Sequence, residues 1–121
     1  MSETQLRGAE GEEAAVGWLR AHGFLIMDRN WRMGRYELDI VASRHDRLHF
    51  VEVKLRGAGG LTTPEEALTP AKQRALLRAA NLYIETMGVR LDCQIDLAAV
   101  DRQPDGTLSV RYIPDAVPNR W

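Results

Sequence analysis

The sequence predicts an α/β domain, a mixed sheet with helices packed against it. Three observations carry this. Apolar residues recur at helical spacing in two long segments. Short runs rich in β-branched and aromatic residues, bounded by turn residues, lie between and after them. Their order along the chain is αβββαβ plus a final strand.

The first helix is expected over residues 6–22, with Gly23 as its stop. Gly8, Ala15, Val16 and Leu19 form its apolar stripe. Strands follow over 24–32, 36–43 and 48–55, the last two joined by the polar turn "RHDR". "GAGG", 57–60, is a flexible loop. Thr69 then caps a helix whose first position is Pro70 and whose stop is Gly88. Its buried stripe is Leu76, Leu77, Ala80, Tyr83, Ile84 and Met87. Two more strands are expected over 91–100 and 108–113, around the turn "QPDG".

Composition bounds the rest. At 121 residues the chain suits one core, so 1–121 is read as a single domain. A hydrophobic fraction of 45% with 27% charged residues is ordinary for a globular protein and excludes a disordered tail. The longest apolar run, "FLIM", is far too short to span a membrane. The polar N-terminus has no apolar secretion segment, and a lone cysteine, Cys93, fits a reducing compartment. A cytoplasmic protein with no membrane partner is the expectation. A net charge of −1 gives no nucleic-acid signal by itself.

The strands of "YELDIVASRHDRLHFVEVKLR" carry charges where a plain hairpin has Val or Thr. Side chains alternate between faces, so Tyr36, Leu38, Ile40 and Ala42 share one face and Glu37, Asp39, Val41 and Ser43 the other. A two-residue turn at His45-Asp46 pairs Ile40 with Val51 and Leu38 with Val53. It also sets Asp39 opposite Glu52 and Glu37 opposite Lys54. Facing carboxylates repel, and Lys54 supplies one positive charge for two acids. A divalent cation would supply the rest, since carboxylate oxygens suit Mg²⁺ or Mn²⁺. Surface salt bridges are the plainer alternative. Glu12 strengthens the metal reading, because helical spacing turns it toward the sheet, where a carboxylate needs a partner. Glu13 points away.

These acids sit within blocks that resemble a known family. "GEEAAVGWL" before "HGF", then "DRNWR", "ELDIV", "FVEVKLR", "TPAKQRALLRAANLYI", "DCQIDLAAV" and "YIPDAV" are similar to the YraN-like family of predicted endonucleases. That family belongs to the PD-(D/E)xK superfamily and is distantly similar to archaeal Holliday-junction resolvases. The resemblance covers nearly the whole chain and implies a restriction-endonuclease-like αβββαβ sheet with flanking helices. Carried over, Asp39 is the motif aspartate, Glu52 the (D/E) carboxylate and Lys54 the motif lysine. The Val53 carbonyl is a further metal ligand, Glu12 the first-helix glutamate, and Glu37 the acid of the "GE-x-D" block. Two positions depart from the pattern: Tyr36 stands where the family has Gly, and Gln94 where many members have Arg.

The resemblance implies metal-dependent hydrolysis of DNA phosphodiesters, branched or junction DNA included. Asp39, Glu52, Val53 and Glu12 would hold Mg²⁺ or Mn²⁺, with Lys54 orienting the attacking water or neutralising charge. Arg32, Arg35, Arg56, Lys72 and Arg74 are the candidate DNA contacts. Lys72 lies in the first turn of its helix, where a phosphate would suit both the lysine and the free N–H groups; a solvated side chain is the preferred alternative. Trp31 is read chiefly as packing, and His45 and His49 are too few and too separated for zinc. A nucleic-acid-binding module that does not cut is the rival reading. The small size also suits a homodimer or a subunit of a larger complex.

Overall fold

The structure, a computed structural model, describes residues 3–56 and 64–118. Helix α1 (Glu3–Ala21) leads into strands β1 (Leu25–Met33), β2 (Tyr36–Arg44) and β3 (Arg47–Arg56). A single helical turn, α2 (Pro64–Ala67), and the long α3 (Pro70–Met87) precede β4 (Asp92–Arg102) and β5 (Leu108–Ile113). The expected order holds, with α2 added where no element was foreseen. The "GAGG" loop lies outside the described residues. No described helix is long and apolar enough to cross a membrane.

The five strands form one sheet in the order β1-β2-β3-β4-β5. Only β3 and β4 are parallel; β1–β2, β2–β3 and β4–β5 are antiparallel. Local chemistry explains the turns and caps. His45 and Asp46 adopt φ of 52° and 58°, the paired positive values of a type I′ hairpin, so the β2–β3 turn closes on the two residues expected. Thr69 Oγ1 accepts the Lys72 N–H at 3.2 Å, and Gly88 ends α3 in the left-handed region at φ 65°.

The helices cover opposite faces of the sheet. α1 packs Ala15, Val16 and Leu19 on Ile40, Ala42, Val51, Ala98 and Val100. α3 packs Leu76, Ala79, Ala80 and Tyr83 on Val41, Phe50, Ile95 and Leu97. Two stripe members are corrected. Gly8 is exposed, and Gly11 makes the close approach instead: a Cβ there would sit 3.2 Å from Leu55 Cβ. Met87, in the last turn of α3, is 54% exposed.

The alternation along β2 is also corrected. The β2–β3 ladder runs from Arg44↔Arg47 to Ile40↔Val51 in the expected register and its pairing ends there. Leu38 packs on the α3 side with Trp31, while Ile40 packs on the α1 side. Leu38 and Ile40 therefore do not share a face. The cause lies in the next strand: Asn30, between the pairs Arg29↔Ile40 and Trp31↔Leu38, sits at φ 54°. A left-handed residue inside a strand breaks the two-residue period, and Asp39 is the residue across from it.

Candidate functional site

At the break, Asp39 takes a place no regular strand residue has. Its Oδ2 accepts the Val53 backbone N–H at 2.8 Å, so the carboxylate fills the gap where the ladder stops. In a strand, a residue's N–H and C=O lie on the same edge, so the Val53 carbonyl borders the same gap. On the α1 side, Asp39 and Val53 line a cleft of about 380 Å³ with Glu12, Asn30, Arg32 and Glu37. On the α3 side Asp39 meets Glu52, which is 5% exposed. Burial first, then the Glu52 carboxylate beside it, pushes Asp39 up to about 8 from 3.8. A buried carboxyl that keeps its proton at neutral pH is short of positive charge.

Lys72 is the cation that reaches this pair. Its Nζ lies 3.0 Å from Glu52 Oε2, in an ion pair that is too bent to count as a hydrogen bond for that buried oxygen. Burial pulls Lys72 down, but Glu52, Asp39 and Glu37 outweigh it and hold the ammonium above its usual range. The preferred reading of Lys72 as a solvated flank residue is therefore overturned. Helix α3 starts at the Thr69 cap beside the sheet, and its third residue projects onto Glu52. Lys54 shares the Glu52 face of β3 by alternation; it is half-buried and makes no ion pair among the described residues.

Glu12 turns toward the sheet as its helical position requires, and it finds protein partners there. Arg29 Nε and Asn30 Nδ2 donate to its Oε1 at 2.9 and 3.0 Å, leaving Oε2 without a partner among the described residues. Arg29 also donates to the exposed Glu13 at 2.6 Å. Asn30 thus does two things, bending β1 and holding Glu12. Among the described residues no group of three His, Cys, Asp or Glu side chains is gathered closely enough to hold a metal. The site consists of the touching pair Asp39–Glu52, with Glu12 across the cleft.

The donor set still suits a hard cation. Two carboxylates and a main-chain carbonyl are oxygen ligands of the kind Mg²⁺ accepts, and Mg²⁺ commonly keeps several waters rather than a full protein cage. Two adjoining carboxylates with one lysine at hand leave the charge deficit such an ion would fill.

The other candidate residues spread around this centre. Glu37 is not opposite Lys54 in a described ladder; it pairs with Arg32 at 3.1 Å. Tyr36 accepts from Arg35 at 3.1 Å and from Arg78 at 3.2 Å. Those guanidinium groups, Arg78 first, hold its hydroxyl below the usual tyrosine range. Arg78 was missed by sequence reasoning, since only the fold brings α3 beside the start of β2. Arg56 is half-buried and Arg74 exposed, and neither has an ion pair among the described residues. Trp31 packs edge-on to Tyr83 at 5.2 Å.

Gln94 donates to Asp96 at 2.7 Å. Asp96 is fully buried. Burial pushes it up, but hydrogen bonds from His49, Tyr112, Gln94 and the Asp115 N–H outweigh that and hold it low. In the β3–β4 ladder Asp96 lies opposite Val51, one pair from Glu52↔Leu97, and by alternation its cluster is on the other face of the sheet from Glu52.

Relatives carry no assigned activity in their names. A protein of Bacteroides fragilis named UPF0102 protein BF0634 is 38% identical over 116 residues, covering 96% of this chain and 95% of that protein. A relative from Symbiobacterium thermophilum is 43% identical over 110 residues, 90% of this chain and 93% of its own. One from Oleidesulfovibrio alaskensis is 47% identical over 94 residues, and there the aligned part spans only 46% of the relative's length. Residues 11–100 match the profile of the uncharacterised protein family UPF0102. The chain belongs to that family.

Proposed function

We propose that this chain is a metal-dependent endonuclease that hydrolyses DNA phosphodiesters, on a restriction-endonuclease-like fold. The observation that supports this best is the Asp39–Glu52 pair at the broken ladder, with Val53 between them and Lys72 3.0 Å from Glu52. Asp39, Glu52, the Val53 carbonyl and Glu12 would hold Mg²⁺ or Mn²⁺. The ion would supply Lewis acidity at the phosphate and a bound water of lowered pKa.

The chain's own groups do the remaining work. Asp39, its Oδ2 fixed by the Val53 N–H at 2.8 Å, would present its other oxygen to the ion. Lys72 holds Glu52 in place through the ion pair at 3.0 Å. Lys54, on the same face of β3 and without an ion pair among the described residues, would offset charge that builds on the scissile phosphate. Arg32, Arg35, Arg56 and Arg74 hold the backbone on either side. Branched or junction DNA is the substrate class that the resemblance to resolvase-like nucleases implies.

A panel of labelled duplex, flap, fork and four-way junction DNA with Mg²⁺ or Mn²⁺ tests the proposal. Cleavage should require metal and be lost in Glu52→Ala. Equal background cutting by wild type and Glu52→Ala would refute it.

A binding module without hydrolysis is the second reading. It is favoured by Glu12 being tied to Arg29 and Asn30 rather than joined to the acid pair. On that reading the same junctions bind intact, with affinity falling steeply with salt.

A further inference from the structure

A second cleft lies at the far end of the sheet from Asp39. It holds about 490 Å³ and is lined by Trp18, Arg44, His45, Arg47, His49, Gln94, Tyr112 and Pro114. Its volume is within the range of small-molecule sites, roughly 300–1,000 Å³.

The charge of the lining is one-sided. Every ionisable side chain that can carry charge near neutrality there is basic, and no acid lines the cleft among the described residues. Arg44 and Arg47 are a cross-strand pair on either side of the hairpin turn, and like charges placed opposite one another are unfavourable unless something neutralises them. Protein partners do this poorly. Arg47 is 4.0 Å from an exposed Asp92. Arg44 has no carboxylate partner among the described residues. It is pinned by stacking on Phe24 at 4.0 Å and by donating to the His22 carbonyl at 3.0 Å. Its Nε is buried with no acceptor. A phosphate between the two guanidinium groups offsets their like charge, while the enclosed Arg44 Nε lies out of its reach.

The rest of the cleft is rigid, flat and polar at its floor. Trp18 is stacked between His22 at 3.7 Å and Tyr112 at 4.5 Å. Buried Asp96 sets the orientation of the floor groups: it accepts from Gln94 Nε2 at 2.7 Å and from Tyr112, and it binds His49 Nδ1 at 2.7 Å. Gln94 Oε1 is thereby left as a fixed acceptor with no partner among the described residues. A carboxamide held this way reads the edge of a base.

We propose that this cleft binds a nucleoside monophosphate, with the phosphate on Arg44 and Arg47 and the edge of the base on Gln94, beside the rims of Trp18 and Tyr112. The ligand is a free nucleotide or the 5′-phosphorylated end of a strand. The site needs no hydrolysis at Asp39.

Calorimetric titration of the full chain in chelator tests it. Adenosine 5′-monophosphate should bind saturably, with adenosine and inorganic phosphate each at least tenfold weaker. Arg47→Ala and Gln94→Ala should each weaken the nucleotide severalfold, Arg47→Ala while melting like wild type and Gln94→Ala at a lower Tm because buried Asp96 loses a donor. Asp39→Asn should bind as wild type does. A 5′-phosphorylated oligonucleotide that binds more tightly than the mononucleotide, and more tightly than its unphosphorylated copy, identifies a strand end; the reverse order identifies a free nucleotide. The proposal is overturned if inorganic phosphate binds as well as the nucleotide, if no ligand saturates, or if neither Arg47→Ala nor Gln94→Ala changes the affinity.

Discussion

Replacing Asp39 with asparagine should stabilise the metal-free protein, by an amount that grows with pH. Burial and the adjoining Glu52 raise Asp39 from 3.8 to about 8. Between those values the native state holds a proton that the unfolded chain has released. Stability therefore falls as pH rises through that window, by at most about 1.4 kcal/mol per unit, and levels off above the folded value. Asparagine keeps an oxygen for the Val53 N–H and cannot ionise. From about pH 6 to about pH 8 the wild type should lose about 2 kcal/mol against the variant. For a chain of this length that is a gap in Tm that widens by roughly 6–12 °C, interpolating between size classes. Thermal melts of both proteins in chelator across this range read it directly, and groups that titrate alike in both cancel in the difference. Excess Mn²⁺ should reverse the order. The wild type gains about 2.7 kcal/mol at a hundred times its dissociation constant, and the variant, short of a ligand, gains less. A gap that stays constant with pH would mean Asp39 is already ionised in the fold, and the charge-deficit reasoning would fail.

Three other substitutions probe the surroundings. Lys72→Met should cost about 1–3 kcal/mol by urea unfolding, because it strands the buried Glu52; Glu52→Gln in the same chain should recover part of that loss in a double-mutant cycle. Asp96→Asn should cost about 1–3 kcal/mol at neutral pH through weakened charge-assisted bonds. Asp96 is held below its unfolded value of 3.8, so its stabilisation is present above that value and lost as pH falls through the folded one. Urea midpoints of wild type and Asp96→Asn should therefore converge in acid. Tyr83→Phe removes the hydroxyl that donates to Asp28 at 2.9 Å and should cost about 1 kcal/mol. It should also abolish a tyrosine titration that burial, then Asp28, delays to about 12, read by ultraviolet absorbance.

The fold was legible where one local rule decided the outcome. The Thr69–Pro70 start and Gly88 stop of α3 depend on capping chemistry alone. The β2–β3 register follows from the His45-Asp46 turn, and the ladder Ile40↔Val51 to Arg44↔Arg47 keeps it. Errors appeared where two elements had to meet. Gly8 and Gly11 both fall on the sheet side of α1, and only the distance to Leu55 shows which one touches. Met87 fits the stripe by angle, yet in the last turn of α3 it stays 54% exposed.

The site was legible as chemistry and illegible as geometry. That two acids in adjoining strands need a cation follows from charge alone. Which faces they share depends on Asn30, whose positive φ breaks the alternation in β1 and leaves Asp39 between the faces. Asparagine is among the few residues that adopt such a φ readily, so the "RNW" triplet held the signal, although propensity alone does not single it out. The same break decides which lysine matters in the metal-free protein. Alternation offers Lys54 as the counterion of Glu52, but Lys54 runs parallel to Glu52 along β3, about 7 Å away. Lys72 approaches from α3 and closes to 3.0 Å. Sequence spacing measures distance along one element; a counterion is chosen across two. If a cation enters at Asp39 and Glu52, Lys72 loses its electrostatic hold on Glu52, and a lysine released beside the site is free to meet a phosphate. Lys54 and Lys72 should therefore separate by condition, with Lys72→Met affecting stability most in chelator and DNA affinity most in metal.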